Sequence, residues 1–238
     1  MIKVDDVQQA IHALADPERA PLVARFFKTG SGQYGEGDQF LGLTMPQQRE
    51  IARQYLHLST DEVEYLIHDP YHEVRMTGLL IWTYQCKKAG AALAGAIQRE
   101  AVAQRYLANR TYINNWDLVD VTCPEVIGNY LLDQDRSILY DLARQDHLWS
   151  QRIAIVSTLA FIRRNQLADT FAIAELLLNH KHDLIHKATG WMLREVGKRN
   201  PEALEEFLHD HIRQMPRTAL RYAIERFEPG RRKYYLLL

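Results

Sequence analysis

The chain has 238 residues, of which 47% are hydrophobic and 25% charged, and this is the composition of a globular protein long enough to bury a core. With 12 Gly and 8 Pro, it is neither a fibrous nor a disordered chain. The net charge of −1 argues against a nucleic-acid partner. The charge is unevenly distributed, however, with a net charge of −6 over residues 1–146 and of +5 over residues 147–238, which contain 15 Lys and Arg and 10 Asp and Glu. A basic C-terminal part can form a local positive surface on a nearly neutral protein.

Apolar residues recur at spacings of three and four along most of the chain, whereas alternating apolar and polar runs are almost absent. Proline favours the first turn of a helix, so Pro17, Pro46, Pro201 and Pro216 are each predicted to open one. The periodicity predicts helices over residues 5–15, 17–28, 46–58, 60–69, 71–86, 89–108, 116–132, 136–145, 148–164, 168–180, 183–199, 201–211 and 216–227.

One irregular stretch, residues 29–38, interrupts this helical pattern, and four of its ten residues are glycine. It lacks the Gly-Lys-Ser/Thr sequence of a phosphate-binding loop and contains two acidic residues, which makes a nucleotide site unfavourable. We therefore predict a structured surface loop here, and its role stays open at this point.

No apolar run approaches the roughly 18 residues that a transmembrane helix needs. The acidic Asp5 and Asp6 are unlike a signal peptide, so we expect a cytoplasmic protein. Cys86 and Cys123 form no zinc pattern and are predicted to be buried small hydrophobic residues in a reducing compartment.

A weak internal repeat is visible in the basic and polar residues of several predicted helices. Arg75, Asn115, Arg152 and Lys187 follow one another at steps of 40, 37 and 35 residues, which is the period of HEAT-type helical pairs. Such pairs stack side by side and bury a continuous core. The repeat predicts an all-α fold, a curved α-solenoid of HEAT-like helical pairs (an α–α superhelix), as a single domain over residues 1–238.

The helix predicted from residue 116 carries a carboxylate where its sister repeats are mostly apolar. Asp120 lies four residues after Trp116, so the two share a helix face, and its repeat equivalents are Leu80, Ser157 and Met192. A carboxylate at a half-buried position is costly unless it is paired or used. Spacing alone favours a structural acid bonded to an arginine or a helix N-terminus over a catalytic one.

Two further residues have a structural and a functional interpretation. Trp191 stands at an apolar repeat position, where tryptophan is usually part of a core. Arg152 follows Trp149 by three residues and is either a solvated side chain or a phosphate clamp, since a guanidinium matches phosphate geometry. The spacing of the histidine pairs at 180 and 182 and at 209 and 211 does not favour a metal site, and none is predicted.

The late basic residues form stripes along predicted helices. Arg194 and Lys198 are four residues apart, as are Arg217 and Arg221. For each residue alone, simple solvation is the favoured interpretation, but together they are compatible with contacts to phosphates and with salt-dependent binding.

Three segments together resemble the AlkD family of DNA alkylation-repair glycosylases. Residues 115–120 read Asn-Trp-Asp-Leu-Val-Asp, residues 149–154 Trp-Ser-Gln-Arg-Ile-Ala, and residues 187–195 Lys-Ala-Thr-Gly-Trp-Met-Leu-Arg-Glu. The resemblance implies a stack of HEAT-like helical pairs around double-stranded DNA. It also implies excision of cationic N3- or N7-alkylated purines such as 7-methylguanine and 3-methyladenine, with the lesion largely stacked and with no cofactor.

The resemblance also implies roles for particular residues. The catalytic aspartate falls on Asp120, the two cleft tryptophans on Trp116 and Trp191, and the phosphate-contacting arginine on Arg152. A cleft tyrosine of the type member falls near Phe26, where its hydroxyl is missing. The predicted DNA-binding set is Arg152, Lys187, Arg194, Lys198, Arg217, Arg221, Phe26 and Lys28.

The resemblance leaves two other functions open. A family member without excision activity would bind bent or branched DNA, and a HEAT-type scaffold would bind protein and show no salt-sensitive DNA affinity. The presence of Asp120 beside both tryptophans and Arg152 favours the enzyme, which we expect to act as a monomer associated with the nucleoid when bound to DNA.

Overall fold

A computed structural model describes residues 4–90 and 92–238, and in these ranges every regular element is a helix, apart from one isolated bridge between Gln39 and Tyr71. The all-α prediction is therefore confirmed. The α-helices are α1 (Val4–His12), α2 (Ala20–Phe26), α3 (Met45–Gln54), α4 (Thr60–Ile67), α5 (His72–Lys88), α6 (Leu93–Ala108), α7 (Trp116–Cys123), α8 (Ser137–Arg144), α9 (Leu148–Ser157), α10 (Leu159–Ile162), α11 (Ala168–Leu177), α12 (Asp183–Gly197), α13 (Pro201–His211), α14 (Arg217–Ala223) and α15 (Pro229–Leu237).

Several helices begin where the sequence predicts them to, because a side chain caps the first turn. Thr44 and Ser59 each form a capping box with the residue three positions later, Gln47 and Glu62. Asn200 accepts the backbone N–H of Ala203 over 3.0 Å at the start of α13.

Two predicted long helices are interrupted. The helix predicted over 116–132 ends at Cys123, because Pro124 has no N–H to donate, and the chain continues as a π-helical turn and then a short 3₁₀ turn. The helix predicted over 148–164 is divided at Thr158, whose hydroxyl donates to the Ile155 carbonyl oxygen over 2.7 Å and competes with the backbone ladder.

The sequence prediction was also wrong at one helix start and missed one helix. Pro17 does not open a helix, because the Asp16 carboxylate accepts the N–H groups of Glu18 and Arg19 in a turn and α2 begins at Ala20. Helix α15 was not predicted, since its basic first half hides the periodicity that places Tyr235 in a buried position.

The chain divides into two compact units, of which unit 1 ends at Val126 and unit 2 comprises Ile127–Leu238. In unit 1, α5 packs against α3, α4, α6 and α7, and nearly all of its residues are buried, including the polar His72 and Arg75. In unit 2, α12 packs against α9, α11, α13 and α14. The single domain over residues 1–238 stays a prediction.

Gly190 explains how α14 lies so close to α12. A Cβ atom at this position would lie 2.4 Å from the carbonyl oxygen of Ala219 and 2.6 Å from the Cβ of Tyr222. No side chain fits in that space, so glycine is required where the two helices meet. This accounts for one of the motif residues in segment 187–195.

Both cysteines are buried, as predicted. Burial also raises the pKa of the Cys86 thiol to about 12. Within the described residues, no helix is long and apolar enough to cross a bilayer.

Candidate functional site

Helix α7 brings Trp116 and Asp120 onto one face, as their spacing predicts. The helix starts at Trp116 because Asn115 has extended backbone angles and its side chain accepts the Trp116 N–H over 2.9 Å. Trp116 and Asp120 then lie one turn apart, and both are half-buried.

Phenylalanines from the end of α2 pack beside Trp116. The Phe27 ring lies 5.4 Å from the Trp116 ring, and the Phe26 ring lies 6.0 Å away in an edge-on arrangement. Phe27 is buried, whereas Phe26 is 65% exposed. The structure thus places Phe26 next to Trp116, and contact of Phe26 with DNA stays a prediction.

The Asp120 carboxylate acts electrostatically on the buried Tyr106. Burial raises the pKa of Tyr106 well above its usual value, and the neighbouring Cys123 and the Asp120 carboxylate raise it further. The Tyr106 hydroxyl is hydrogen-bonded to Thr122 over 2.8 Å. Asp120 therefore adds negative charge to a partly dry environment, while the catalytic role itself stays a prediction.

The Gly-rich segment 29–38 is a series of hydrogen-bonded turns, so the prediction of a structured loop is confirmed. It starts after Lys28, an exposed residue with a left-handed φ of 54° whose carbonyl accepts the Gly35 N–H. A Cβ atom on Gly35 would lie 2.4 Å from the Phe27 carbonyl oxygen, so the segment packs directly on the end of α2. The DNA contact predicted for Lys28 remains untested.

A buried charged cluster connects the end of this segment to α7. The Nδ1 of His72 lies 2.8 Å from Asp38 Oδ2, and its Nε2 lies 2.9 Å from Asp117 Oδ2. Although burial opposes charge on the ring, the two carboxylates raise the pKa of His72 to about 9. Burial likewise opposes ionisation of Asp38, but His72 and Arg75 lower its pKa.

Arg75 closes the cluster on its other side. Its guanidinium donates to Asp38, to the Asn114 side chain over 3.1 Å, and to the carbonyl oxygens of Asp69 and Pro70. The sequence marks Arg75 as a repeat position but does not reveal the cluster, because Asp38 and Asp117 lie 34 and 45 residues from His72 along the chain. The only sequence feature that could have indicated the cluster is Asp38, the acidic residue that ends the Gly-rich segment.

A cavity of about 390 Å³ opens beside this cluster. Its walls include the aromatic rings of Phe26, Phe27 and Phe40, and His72 and Asp117 lie among its lining residues. His72 itself is only 2% exposed, so the cavity is the space nearest to the buried ring.

In unit 2, Arg152 lies inside the helical packing. It is only 4% exposed, and its Nη1 donates to the carbonyl oxygen of Leu184 in the first turn of α12. Arg152 therefore connects α9 to the start of α12. The structure gives it this packing role, and its contact with phosphate stays a prediction.

Trp191 is half-buried on α12, so it is not a fully enclosed core residue. Its indole N–H donates to Glu195 over 3.2 Å. A cavity of about 260 Å³ lies beside it and is lined by Leu159, Ile162, Arg163, Trp191, Glu195, Lys198 and Arg199. The cavity has more basic than acidic lining residues.

The predicted basic stripes of unit 2 are partly neutralised by acidic side chains. Lys187 pairs with Asp183 over 2.7 Å, Arg194 with Glu225, and Lys198 with Glu195 over 2.6 Å. Arg217 donates to a main-chain carbonyl near the C-terminus, and Arg221 is exposed. Contact of these residues with DNA remains a prediction, and phosphates would compete with the acidic partners for them.

Among the described residues, no three His, Cys, Asp or Glu side chains are grouped as a metal ion would require. The candidate functional groups are therefore a carboxylate and aromatic rings in unit 1, and basic side chains in unit 2.

Comparison with known families decides the identity. A family model described as DNA alkylation repair enzyme matches residues 7–227 of the chain. The protein belongs to the DNA alkylation repair enzyme family. The resemblance that the three motifs predicted is thereby confirmed at the level of this family.

The solved structures extend the comparison to the fold. This DNA alkylation repair family member is similar to a protein described as "Predicted DNA alkylation repair enzyme from Enterococcus faecalis", with a TM-score of 0.69 and 18% sequence identity over 90% of this chain and 97% of that one. The likeness shows a shared fold and confirms the predicted fold class. A comparison with curated proteins found no match.

Proposed function

We propose that this DNA alkylation repair family member is a DNA glycosylase that releases cationic N3- or N7-alkylated purines from double-stranded DNA. The observation that carries the proposal is the position of Asp120, a half-buried carboxylate one helical turn from Trp116 on the helix of the first family-like motif. Family membership supports a role in alkylation repair.

The chemistry suits a carboxylate. An alkyl group at N7 or N3 leaves a positive charge on the purine, so the bond from the base to C1′ breaks with its electron pair moving onto the base, which leaves uncharged. The sugar then develops oxocarbenium character, which the negative charge of Asp120 would stabilise. Water adds to C1′ and transfers its proton to Asp120, which acts as the general base.

The aromatic residues suit a cationic nucleotide. Trp116 lies one helical turn from Asp120, and the exposed Phe26 packs edge-on against Trp116. A cation–π contact of either ring with the alkylated base would contribute on the order of 0.5–2 kcal/mol. We propose Trp191 as a further aromatic contact to DNA. A tyrosine hydroxyl at position 26 is absent, so binding there would depend on ring contacts alone.

Binding of the duplex would depend on basic side chains. Arg152, Lys187, Arg194, Lys198, Arg217 and Arg221 in unit 2, and Lys28 in unit 1, are the proposed phosphate contacts. Each phosphate contact releases counterions, so affinity should fall steeply with salt. In this proposal the protein acts as a cytoplasmic monomer without a cofactor.

The test is detection of the free base by mass spectrometry after incubation with a duplex that contains one 7-methylguanine, beside an unmodified duplex. Release of 7-methylguanine with formation of an abasic site supports the glycosylase. Salt-sensitive binding of the duplex without any release would favour a DNA-binding family member without excision activity.

A further inference from the structure

We propose that His72, held as an imidazolium between Asp38 and Asp117, is a positioning residue that ties the Gly-rich segment to the first turn of α7 and thereby fixes Trp116 and Asp120 for base excision. This inference rests on the proposed glycosylase function.

The hydrogen-bond geometry is satisfied by ionised carboxylates when both ring nitrogens of His72 are donors. Each nitrogen lies within 2.9 Å of a carboxylate oxygen, one from Asp38 and one from Asp117. A neutral imidazole has only one N–H, and its other nitrogen would face a carboxylate with no proton between them. The doubly protonated ring satisfies both carboxylates at once and offsets their charge in a buried place.

Asp117 passes this constraint to α7. It is the second residue of the helix, its Oδ1 accepts the Leu118 N–H over 2.9 Å, and its Oδ2 accepts from His72. Trp116 directly precedes Asp117 in the helix, and Asp120 follows it by three residues. A fixed Asp117 therefore fixes the rotation of the first turn and the direction of both side chains.

A second connection runs through the aromatic rings. The His72 ring lies 4.6 Å from Phe40 and 5.0 Å from Phe27, and Phe27 lies 5.4 Å from Trp116. An imidazolium is held on such faces by cation–π attraction. The cluster is thus connected to Trp116 through the Phe27 ring as well as through the α7 backbone.

The charged groups nearest His72 lie at the end of the Gly-rich segment, on α7, on its own helix and around the adjoining cavity. Asp38 and Asp117 face its two nitrogens, and Arg75 on its own helix is bound to Asp38. Glu73 is occupied by the N–H groups of Leu41 and Gly42, Arg19 lines the adjoining cavity, and Asp69 accepts the Tyr71 N–H. The two facing carboxylates keep the pKa of His72 near 9, so the imidazolium persists at neutral pH and is lost in alkaline solution.

The excision rate should therefore depend on pH through this residue. We expect the single-turnover rate of the wild type to fall as pH rises through about 9, because the neutral ring releases one carboxylate. Asp38→Asn keeps a hydrogen-bond acceptor but removes a facing negative charge, which lowers the pKa of His72. It should move the alkaline fall of the rate to lower pH.

The experiment measures single-turnover release of 7-methylguanine between pH 7 and 9.5, with an enzyme-free blank subtracted at each pH, for the wild type, Asp38→Asn, His72→Gly and the exposed control His209→Gly. At pH 7.5, His72→Gly should lose on the order of 100-fold in rate, with little change in DNA affinity. Added imidazole should restore part of the rate through the 390 Å³ cavity, and His209→Gly should match the wild type.

The outcomes separate this inference from the proposed function. A folded His72→Gly with the wild-type rate, or an alkaline limb that Asp38→Asn leaves in place, would overturn the positioning role while the glycosylase stands. If His72→Gly does not fold, the pH profile of Asp38→Asn decides. Absence of release by the wild type at every pH would overturn the proposed function and this inference with it.

Discussion

The indole N–H of Trp191 and the ammonium group of Lys198 bind the same oxygen of Glu195, at 3.2 and 2.6 Å. Arg194 lies nearby, with its Nε 3.6 Å from that oxygen. A single carboxylate on α12 thus orients an aromatic ring and offsets part of the positive charge with which α12 would meet DNA.

Glu195→Gln should therefore strengthen DNA binding. Glutamine keeps an acceptor for the Trp191 N–H, but it removes the charge that competes with phosphates for Lys198 and Arg194. We expect an affinity gain of a few-fold at about 50 mM salt that shrinks at about 200 mM. Fluorescence anisotropy with a labelled duplex measures both, and the exposed Glu206→Gln on α13 is the matched control. Equal affinities for the two variants would contradict this role of Glu195.

Gly190→Ala should destabilise the protein. The added methyl group would meet the Ala219 carbonyl oxygen and the Tyr222 Cβ at under 3 Å, which forces α14 away from α12. Overpacking of this kind costs about 1–3 kcal/mol. Urea denaturation gives the change in unfolding free energy, and Gly230→Ala, where a Cβ meets nothing within 4 Å, is the control. Equal urea midpoints for the two variants would show that α12 and α14 leave room for a methyl group at position 190.

Stability should fall between about pH 6.5 and 9. The folded state raises the pKa of His72 from 6.5 to about 9, so its contribution is complete below pH 6.5 and is lost as pH rises through the folded value. The full loss is about 3 kcal/mol at 1.36 kcal/mol per pH unit. Urea unfolding at pH 6.5 and 9.5 measures it, and Asp117→Asn should flatten the dependence. A wild type that is equally stable at both pH values would contradict a charged His72.

Arg152→Ala should reduce both stability and DNA binding. Loss of the bond to the Leu184 carbonyl and of a buried side chain costs about 1–3 kcal/mol. If Arg152 also contacts a phosphate, the slope of log affinity against log salt should decrease by about 1. Anisotropy titrations over a salt series, run below the unfolding temperature of the variant, separate the two effects. An unchanged slope would limit Arg152 to its packing role.

The helical architecture was predictable because it depends on local patterns. Period-three and period-four apolar spacing identifies most helices, and Thr44 and Asn200 mark helix starts through caps that involve residues only three positions away. Two of the errors lie where a single residue changes the backbone. Pro124 and Thr158 interrupt helices whose apolar pattern continues beyond them.

The candidate site was predictable only in part. The Trp116–Asp120 pair follows from helical spacing, so the sequence predicts it directly. The contact of Asp38 with His72 joins residues 34 positions apart, and no spacing rule predicts such a pair. The acidic partners of Lys187 and Lys198 are local, but that of Arg194, Glu225, is 31 residues away, so the neutralisation of the basic stripes became visible only in the structure.

The central claim is that the Asp120 carboxylate stabilises the transition state of base release, and single-turnover excision of 7-methylguanine by the wild type and Asp120→Asn tests it most directly. Asparagine keeps the size of the side chain but removes its charge, so we expect a loss of about 100-fold or more in rate with unchanged duplex affinity. The exposed Asp210→Asn should keep the wild-type rate. A wild-type rate for Asp120→Asn would contradict the claim and remove Asp120 from the mechanism.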